Sequence, residues 1–508
     1  MLTSIIDTLR KYLQGDGAVI LPEMELFLFA MGILLIDRWI EAKEKYWNAV
    51  LAFAGICFSG FTLWLLRGRV EQARRDTGDP ILLGFHDSAI IDPLFLFFAV
   101  IFLVVTALVV LLSVRYLEAK DEQQGKYYAL LLFACIGMLL TASGIDAITL
   151  FLGVEVLAVS LYALTGFLRK EKRSSEAAVK HLLLGALGSA ILAYGFSLLY
   201  GMFGTTSIGR IGAMLDFGAR RGLAFGGFSG WIATLAFLTI VSALFLKIAA
   251  VPFHHWGPDV YEGAPTPVAA LVSAASVAAI FALLLRLFLF VFLYAHEAWV
   301  HLIAGVAIAS LVWGNFAAVF QKNLKRMLAY SAMAHVGYML LGFVAGNEAG
   351  FVGVTYYLLA YVFMTVGAFA VVIVMQQKGL GGAELDDVTG LYQRSPAAAV
   401  LLVIFMMSLA GIPPTAGFHA KYALFKALIE AKHPLLAGVA AVSVLAGFYY
   451  YLRVAVLAWR KRPGEGEAPR LVMSSAEAVA LGVAVFVSLA AGLYPEPFTR
   501  LAHYAFGQ

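Results

Sequence analysis

Charge is scarce in this chain. Only 13% of its 508 residues are Asp, Glu, Lys or Arg, while 62% are hydrophobic, and the mean hydropathy is +0.86. A soluble core of that size would need far more polar surface to cover it. Cysteine is scarcer still. Cys57 and Cys135 both fall inside apolar stretches, which predicts two buried thiols and excludes a disulfide framework or a cysteine-based metal site. There is no CxxC pair, glycine-rich phosphate loop or haem-attachment pattern, so the chain is expected to hold no nucleotide, metal or redox centre. The net charge of +4 is small and spread over connections, and no nucleic-acid partner is expected. Polar connections of at most about 25 residues leave no room for a soluble domain. The first twenty residues carry Asp7, Arg10, Lys11 and Asp16, too polar for the apolar region of a signal peptide.

Long apolar runs are abundant. Pro93–Val114 and Phe351–Val374 hold no charge at all, and each reaches the roughly 17–25 residues that cross a bilayer. Hydropathy predicts an all-α polytopic membrane protein with about fourteen spans. The first seven are Leu21–Ile36, Trp47–Leu66, Pro93–Val114, Tyr127–Ala142, Ala147–Leu168, Ser175–Phe203 and Trp231–Pro252. The rest are Thr266–Leu293, His301–Phe320, Met327–Val344, Phe351–Met375, Ala397–Ile429, Leu435–Trp459 and Ser474–Leu493. Ser174 and Ser175 with Glu176 read as the cap of the sixth span. Of the 36 Lys and Arg residues, 19 fall on one side, 11 on the other and six within spans. That bias puts the N-terminus outside the cell.

The seventh and twelfth spans contain internal prolines, which remove a backbone hydrogen bond and clash with the preceding turn, so both helices should break. Ala249-Ala250-Val251-Pro252 parallels Ala410-Gly411-Ile412-Pro413 at a five-span offset. This is the pattern of an inverted repeat, spans four to eight against nine to thirteen. The expected division is 1–126 for the first three helices, 127–293 and 294–460 for two inverted five-helix repeats, and 461–508 for the last helix and tail.

Four of the ionisable residues within these spans define a line: Glu155, Lys180, Lys247 and Lys421. Each would cost roughly 2.5–3.5 kcal/mol at mid-membrane. Glu155 is eight residues into its span, about 12 Å deep at 1.5 Å per residue, too far for a short side chain to reach water. Lys247 precedes Pro252 by five residues, beside the expected break. Burial brings carboxylic acids and ammonium groups toward neutrality, and a nearby opposite charge restores them. At 10 Å and an effective dielectric of 20, two charges interact by about 1.7 kcal/mol. Glu155 moving relative to Lys180 would therefore retune that lysine, which would pass a proton toward Lys247. His335, mid-span in LAYSAMAHVGYMLLG, and the His254-His255 pair at the break are further relay candidates, weighed against packing and an aqueous helix end. Arg286, Lys426 and Arg453 lie toward span ends and read as snorkelling or paired; Asp259 and Glu262 read as loop or cap residues.

PFHHWGPDVYEGAPTPV, LKRMLAYSAMAHVGYMLLG and LAGIPPTAGFHAKY resemble the antiporter-like membrane subunits of respiratory complex I, from about Asp92 to Trp459. The first motif, and a lysine rather than glutamate at Lys421, resemble the N type more than the M type. The resemblance implies that Glu155 is the fifth-helix glutamate, Lys180 its sixth-helix partner, Lys247 the broken-helix lysine and Lys421 the exit lysine. It also implies an eighth-helix lysine where this sequence has Val277, so water at Ser273 and Ser276, or a path through His335, would have to substitute. The function implied is proton translocation, as a subunit of a translocase, NADH:quinone oxidoreductase. Flavin, iron–sulfur clusters and quinone would lie in partner subunits. Its neighbours would be M- and K-type membrane subunits and, indirectly, a hydrophilic arm, in a bacterial inner membrane. The alternative is a subunit of a multi-subunit cation/proton antiporter, which has no redox partners; a third is a structural subunit that no longer pumps.

Overall fold

The structure, a computed structural model, describes residues 15–120, 122–220, 227–292, 296–376, 383–461 and 470–507. Asp7, Arg10 and Lys11, and the loop cations Lys378 and Arg462, lie outside them.

The chain is a helical bundle. In order it runs α1 (Leu21–Ile36), α2 (Trp47–Thr77), a hairpin of β1 (Leu82–Gly84) and β2 (Ala89–Ile91), α3 (Pro93–Lys120), α4 (Gln124–Ser143), α5 (Ala147–Thr165), α6 (Lys172–Phe203), α7 (Ile208–Arg220) and α8 (Gly227–Lys247). Then come α9 (Trp256–Gly263), α10 (Thr266–Phe292), α11 (His296–Val319), α12 (Leu324–Ala345) and α13 (Glu348–Met375). Last are α14 (Pro396–Ala410), α15 (Ala416–Glu430), α16 (Pro434–Trp459), α17 (Ser475–Leu493) and α18 (Glu496–Tyr504).

Thirteen of the described helices are each long and apolar enough to cross a membrane. The twelfth expected span is present as the broken pair α14 and α15, neither long enough alone. At the centre, α10, α12 and α13 are buried almost throughout, whereas α1 and α16 bury about a third of their apolar windows. Two π-helical turns, Val272–Ser276 and Phe288–Phe292, interrupt α10. The sixth helix starts earlier than expected. Glu171 occupies its N-cap without a side-chain bond, and Ser174 instead donates to the Thr165 carbonyl at 2.7 Å. Cys135 is buried, but Cys57 is exposed on the bundle surface, because an apolar run faces lipid as readily as core.

Both expected breaks are present, and both end in the same way. Past α8, Ala249 is left-handed (φ 53°) and the Ala250 N–H donates to the Phe245 carbonyl at 2.9 Å. Past α14, Gly411 is left-handed (φ 83°) and the Ile412 N–H donates to the Met407 carbonyl at 3.0 Å. These are Schellman-type caps, in which one i→i−5 bond closes the helix. They match Ala249 to Gly411, one residue off the sequence register that paired it with Ala410. An alanine in that region costs about 1–2 kcal/mol, a glycine far less. The seventh-span break is also pinned from outside: the Val251 N–H donates to Ser310 Oγ of α11 at 3.0 Å.

The last helix returns to the second. Tyr504 hydrogen-bonds Glu71 at 3.1 Å, Arg74 donates to the Gly507 carbonyl at 2.8 Å, and Arg67 lies over the Tyr504 ring.

Candidate functional site

Three polar clusters occupy the bundle. The first joins α5, α6 and α8. Lys247, the last residue of α8, places its ammonium 3.5 Å from Glu155 Oε1 and 3.0 Å from Ser189 Oγ, and Ser189 donates to the same carboxylate oxygen. The lysine side chain is 8% exposed and the glutamate 26%, so the pair runs from the interior to the rim of the bundle. At such a separation the attraction is about 4–5 kcal/mol at an effective dielectric of 20. Lys247 also lines a cavity of about 30 Å³ bordered by Tyr162, His181, Gly185, Trp256 and Ser276. The Trp256 indole donates to the Leu246 carbonyl at 2.7 Å, which also accepts from the Ala249 N–H at 3.2 Å at the end of α8.

This corrects the expected pairing. Glu155 does not meet Lys180; its partner on α6 is Ser189, and its cation is Lys247. Lys180 belongs to a second, wetter cluster. Its ammonium bridges Glu176 at 2.7 Å and Asp259 at 2.6 Å. Arg326 also holds Asp259, at 2.6 Å, and Glu262, at 3.0 Å, and Arg173 reaches Glu262 at 3.3 Å. Asp259 and Glu262 are thus partners in an ion network rather than loop residues. Asp259 lies on α9, which is too short to be one of the thirteen spans. Burial alone would raise its carboxyl, but the hydrogen bonds and charges of Lys180 and Arg326 outweigh that and hold it below its ordinary value. A cavity of about 220 Å³ opens onto this cluster, and a neighbouring one of about 560 Å³ reaches Lys325. Lys325, expected in a loop, is buried and donates to the carbonyls of Glu262 and Ala264 at 2.8 and 2.7 Å.

The third cluster lies around the twelfth-span break. Lys421, on α15, is buried and donates back to the Leu409 and Ala410 carbonyls at the end of α14. Its ammonium also lies 5.0 Å from the Tyr338 ring. His335 is buried between Tyr357 Oη (2.7 Å from Nδ1) and Tyr451 Oη (3.0 Å from Nε2), and Tyr451 contacts Ser331. Tyr338 stacks near Tyr357 and His335, so the histidine and Lys421 share one aromatic cage.

His254 and His255 stack on each other 4.5 Å apart, with Trp313 edge-on, and neither bonds to Lys247 or Glu155. Arg286 was legible as a cation but not as a buried one. It is wholly enclosed, gripping Asp92 through two bonds of 2.9 Å, and it also donates to the Ala142 carbonyl. Among the described residues no group of three His, Cys, Asp or Glu side chains is placed to hold a metal ion.

A multi-pass bundle with two broken helices, each with a buried lysine at its break, defines an ion-translocating type of membrane protein. Residues 144–447 match the family described as NADH:quinone oxidoreductase/Mrp antiporter, TM. NADH-quinone oxidoreductase subunit N 1 of Koribacter versatilis is 43% identical over 99% of this chain and 97% of its own length. A chain of respiratory complex I from Thermus thermophilus superposes with a TM-score of 0.76 at 29% identity, covering 94% of this chain and 99% of that one. A chain of the Mrp complex from Dietzia sp. has the same fold, with a TM-score of 0.78 at 22% identity over 95% and 96% of the two chains. The chain belongs to the NADH:quinone oxidoreductase/Mrp antiporter family, in the branch of the NADH-quinone oxidoreductase subunit N proteins.

Proposed function

We propose that this chain is a proton-translocating membrane subunit of an NADH:quinone oxidoreductase, seated in a bacterial inner membrane with its N-terminus on the periplasmic side. The observation that carries the reading is the Glu155–Ser189–Lys247 cluster at the end of a broken helix. While Glu155 faces it, Lys247 is held as an ammonium. A shift of Glu155, which lies at the rim of the bundle, removes that countercharge, and the lysine then releases its proton. The return of Glu155 favours recharging.

Lys180, with Asp259 and Arg326 beside an open cavity, is the proposed loading side. His335 and Lys421 are the proposed release side, and His254 and His255 serve the aqueous end of the first break. The two halves, 127–293 and 294–460, are proposed as inverted repeats flanked by 1–126 and 461–508. M- and K-type neighbours and a hydrophilic arm would supply the driving signal, and flavin, iron–sulfur clusters and quinone would reside in them.

The test is redox-driven proton pumping by the whole complex in liposomes. With Lys247→Ala or Glu155→Ala, NADH oxidation should continue with fewer protons moved per NADH. A wild-type ratio in both variants overturns the reading. Co-purification without flavin and iron–sulfur proteins would favour the antiporter alternative.

A further inference from the structure

We propose that His181 is a proton-carrying residue of this site, exchanging protons with Lys247 across the small cavity between them. The proposal deepens the reading of Lys247 given above and rests on it.

The ring of His181 is fixed on three sides. It stacks on Trp256 at 4.8 Å and 8°, meets Tyr162 edge-on at 4.8 Å, and sets Nδ1 3.0 Å from Thr165 Oγ1. The Thr165 hydroxyl has one proton, and it donates that proton to the Leu161 carbonyl at 2.7 Å. Oγ1 can therefore only accept, which places the imidazole proton on Nδ1 and leaves the lone pair on Nε2. Among the described residues Nε2 has no protein partner, and the ring borders the cavity that Lys247, Tyr162 and Ser276 also line.

A cavity of about 30 Å³ has room for a water molecule. Ser276 offers that water only an acceptor, since its own hydroxyl donates to the Val272 carbonyl at 2.7 Å. Lys247 lines this space, so a proton it releases here meets the cavity's other lining groups. Tyrosine is too weak an acid and serine too weak a base to hold it near neutral pH, and Val277, next to Ser276, has no proton group. Histidine is the side chain suited to the task. The ammonium of Lys247 gives one proton to the water, and the water gives one to Nε2. Lys247 ends as a neutral amine, His181 as an imidazolium, and the water is regenerated; reversal reloads the lysine.

The experiment uses the intact complex in liposomes, reading the proton-to-NADH ratio against pH. His181→Gln should assemble, oxidise NADH and drop to the ratio of Lys247→Ala. His181→Lys should regain pumping with its profile moved to higher pH, following the ordinary values of about 10.4 for lysine and about 6.5 for histidine. A purely structural role would leave no such shift. Thr165→Val, which keeps the stack on Trp256 but frees the tautomer, should also move the profile, and it decides the matter if His181→Gln fails to assemble: an unchanged profile overturns the proposal. Normal pumping in His181→Gln with pumping lost in Lys247→Ala overturns the proposal alone. Normal pumping in both overturns the reading beneath it as well.

Discussion

Lys421 caps the helix it does not belong to: its ammonium lies 2.8 Å from the carbonyl oxygen of Ala410, across the twelfth-span break. The residue thus combines a structural bond with a proposed proton site, and two variants separate the roles. Lys421→Met leaves two buried carbonyls without a donor, at about 1–3 kcal/mol each, and should lower both the thermal midpoint of the complex and its pumping. Lys421→Arg keeps a donor but cannot release a proton, so stability should survive while the proton-to-NADH ratio falls. Wild-type pumping in Lys421→Arg would reduce the lysine to a cap.

The Arg286–Asp92 pair should be structural alone. Removing one partner strands a buried charge, and Arg286→Leu should cost about 3–5 kcal/mol, read as lost assembly in membranes. Arg286→Leu with Asp92→Leu should recover much of that loss, because no uncompensated charge remains. A double variant as poor as the single would contradict this account.

Asp259 predicts an acid limit. Its carboxyl is held below its ordinary value in the folded protein, so its stabilising contribution is complete above the unfolded value of about 3.9 and is lost as pH falls through the folded value. Thermal midpoints measured from pH 7 downward should fall for the wild type below about pH 4. Asp259→Asn should begin lower and fall less over the same interval. Parallel curves would exclude the linkage.

Gly492 sets how closely α17 approaches the twelfth-span break. A Cβ there would lie 2.2 Å from the Pro414 carbonyl oxygen and 2.4 Å from the Thr415 carbonyl carbon, backbone atoms that cannot step aside. Gly492→Ala should destabilise by about 1–3 kcal/mol. Gly482→Ala on the same helix meets nothing within 4 Å and should be silent in the same thermal assay.

Spans, breaks and intramembrane charges were legible in the sequence, because each is a local departure from an apolar run. Partner choice was not, because it depends on helix rotation. Lys180 and Ser189 are nine residues apart, which at about 100° per residue puts them on opposite faces of α6 and about 13 Å apart along it. Only one of the two can meet Glu155. His181, Gly185 and Ser189 share a face at four-residue spacing, and that stripe was the available signal for His181. Arg286 read as snorkelling because it sits near a span end, while the acid that buries it lies 194 residues away in sequence. The amphipathic helices α7 and α18 were too short and too polar for a hydropathy window.

The return of α18 to α2 has a consequence for the order of folding. Glu71 and Arg74 are synthesised 433 residues before the Tyr504 hydroxyl and the Gly507 carbonyl that bind them, so the end of α2 waits for these two partners. Closing so long a loop costs only slightly more than closing one half its length, about 0.6 kcal/mol per doubling. The clasp is therefore late but thermodynamically cheap, and it ties α2 to a helix made far later when the bundle closes.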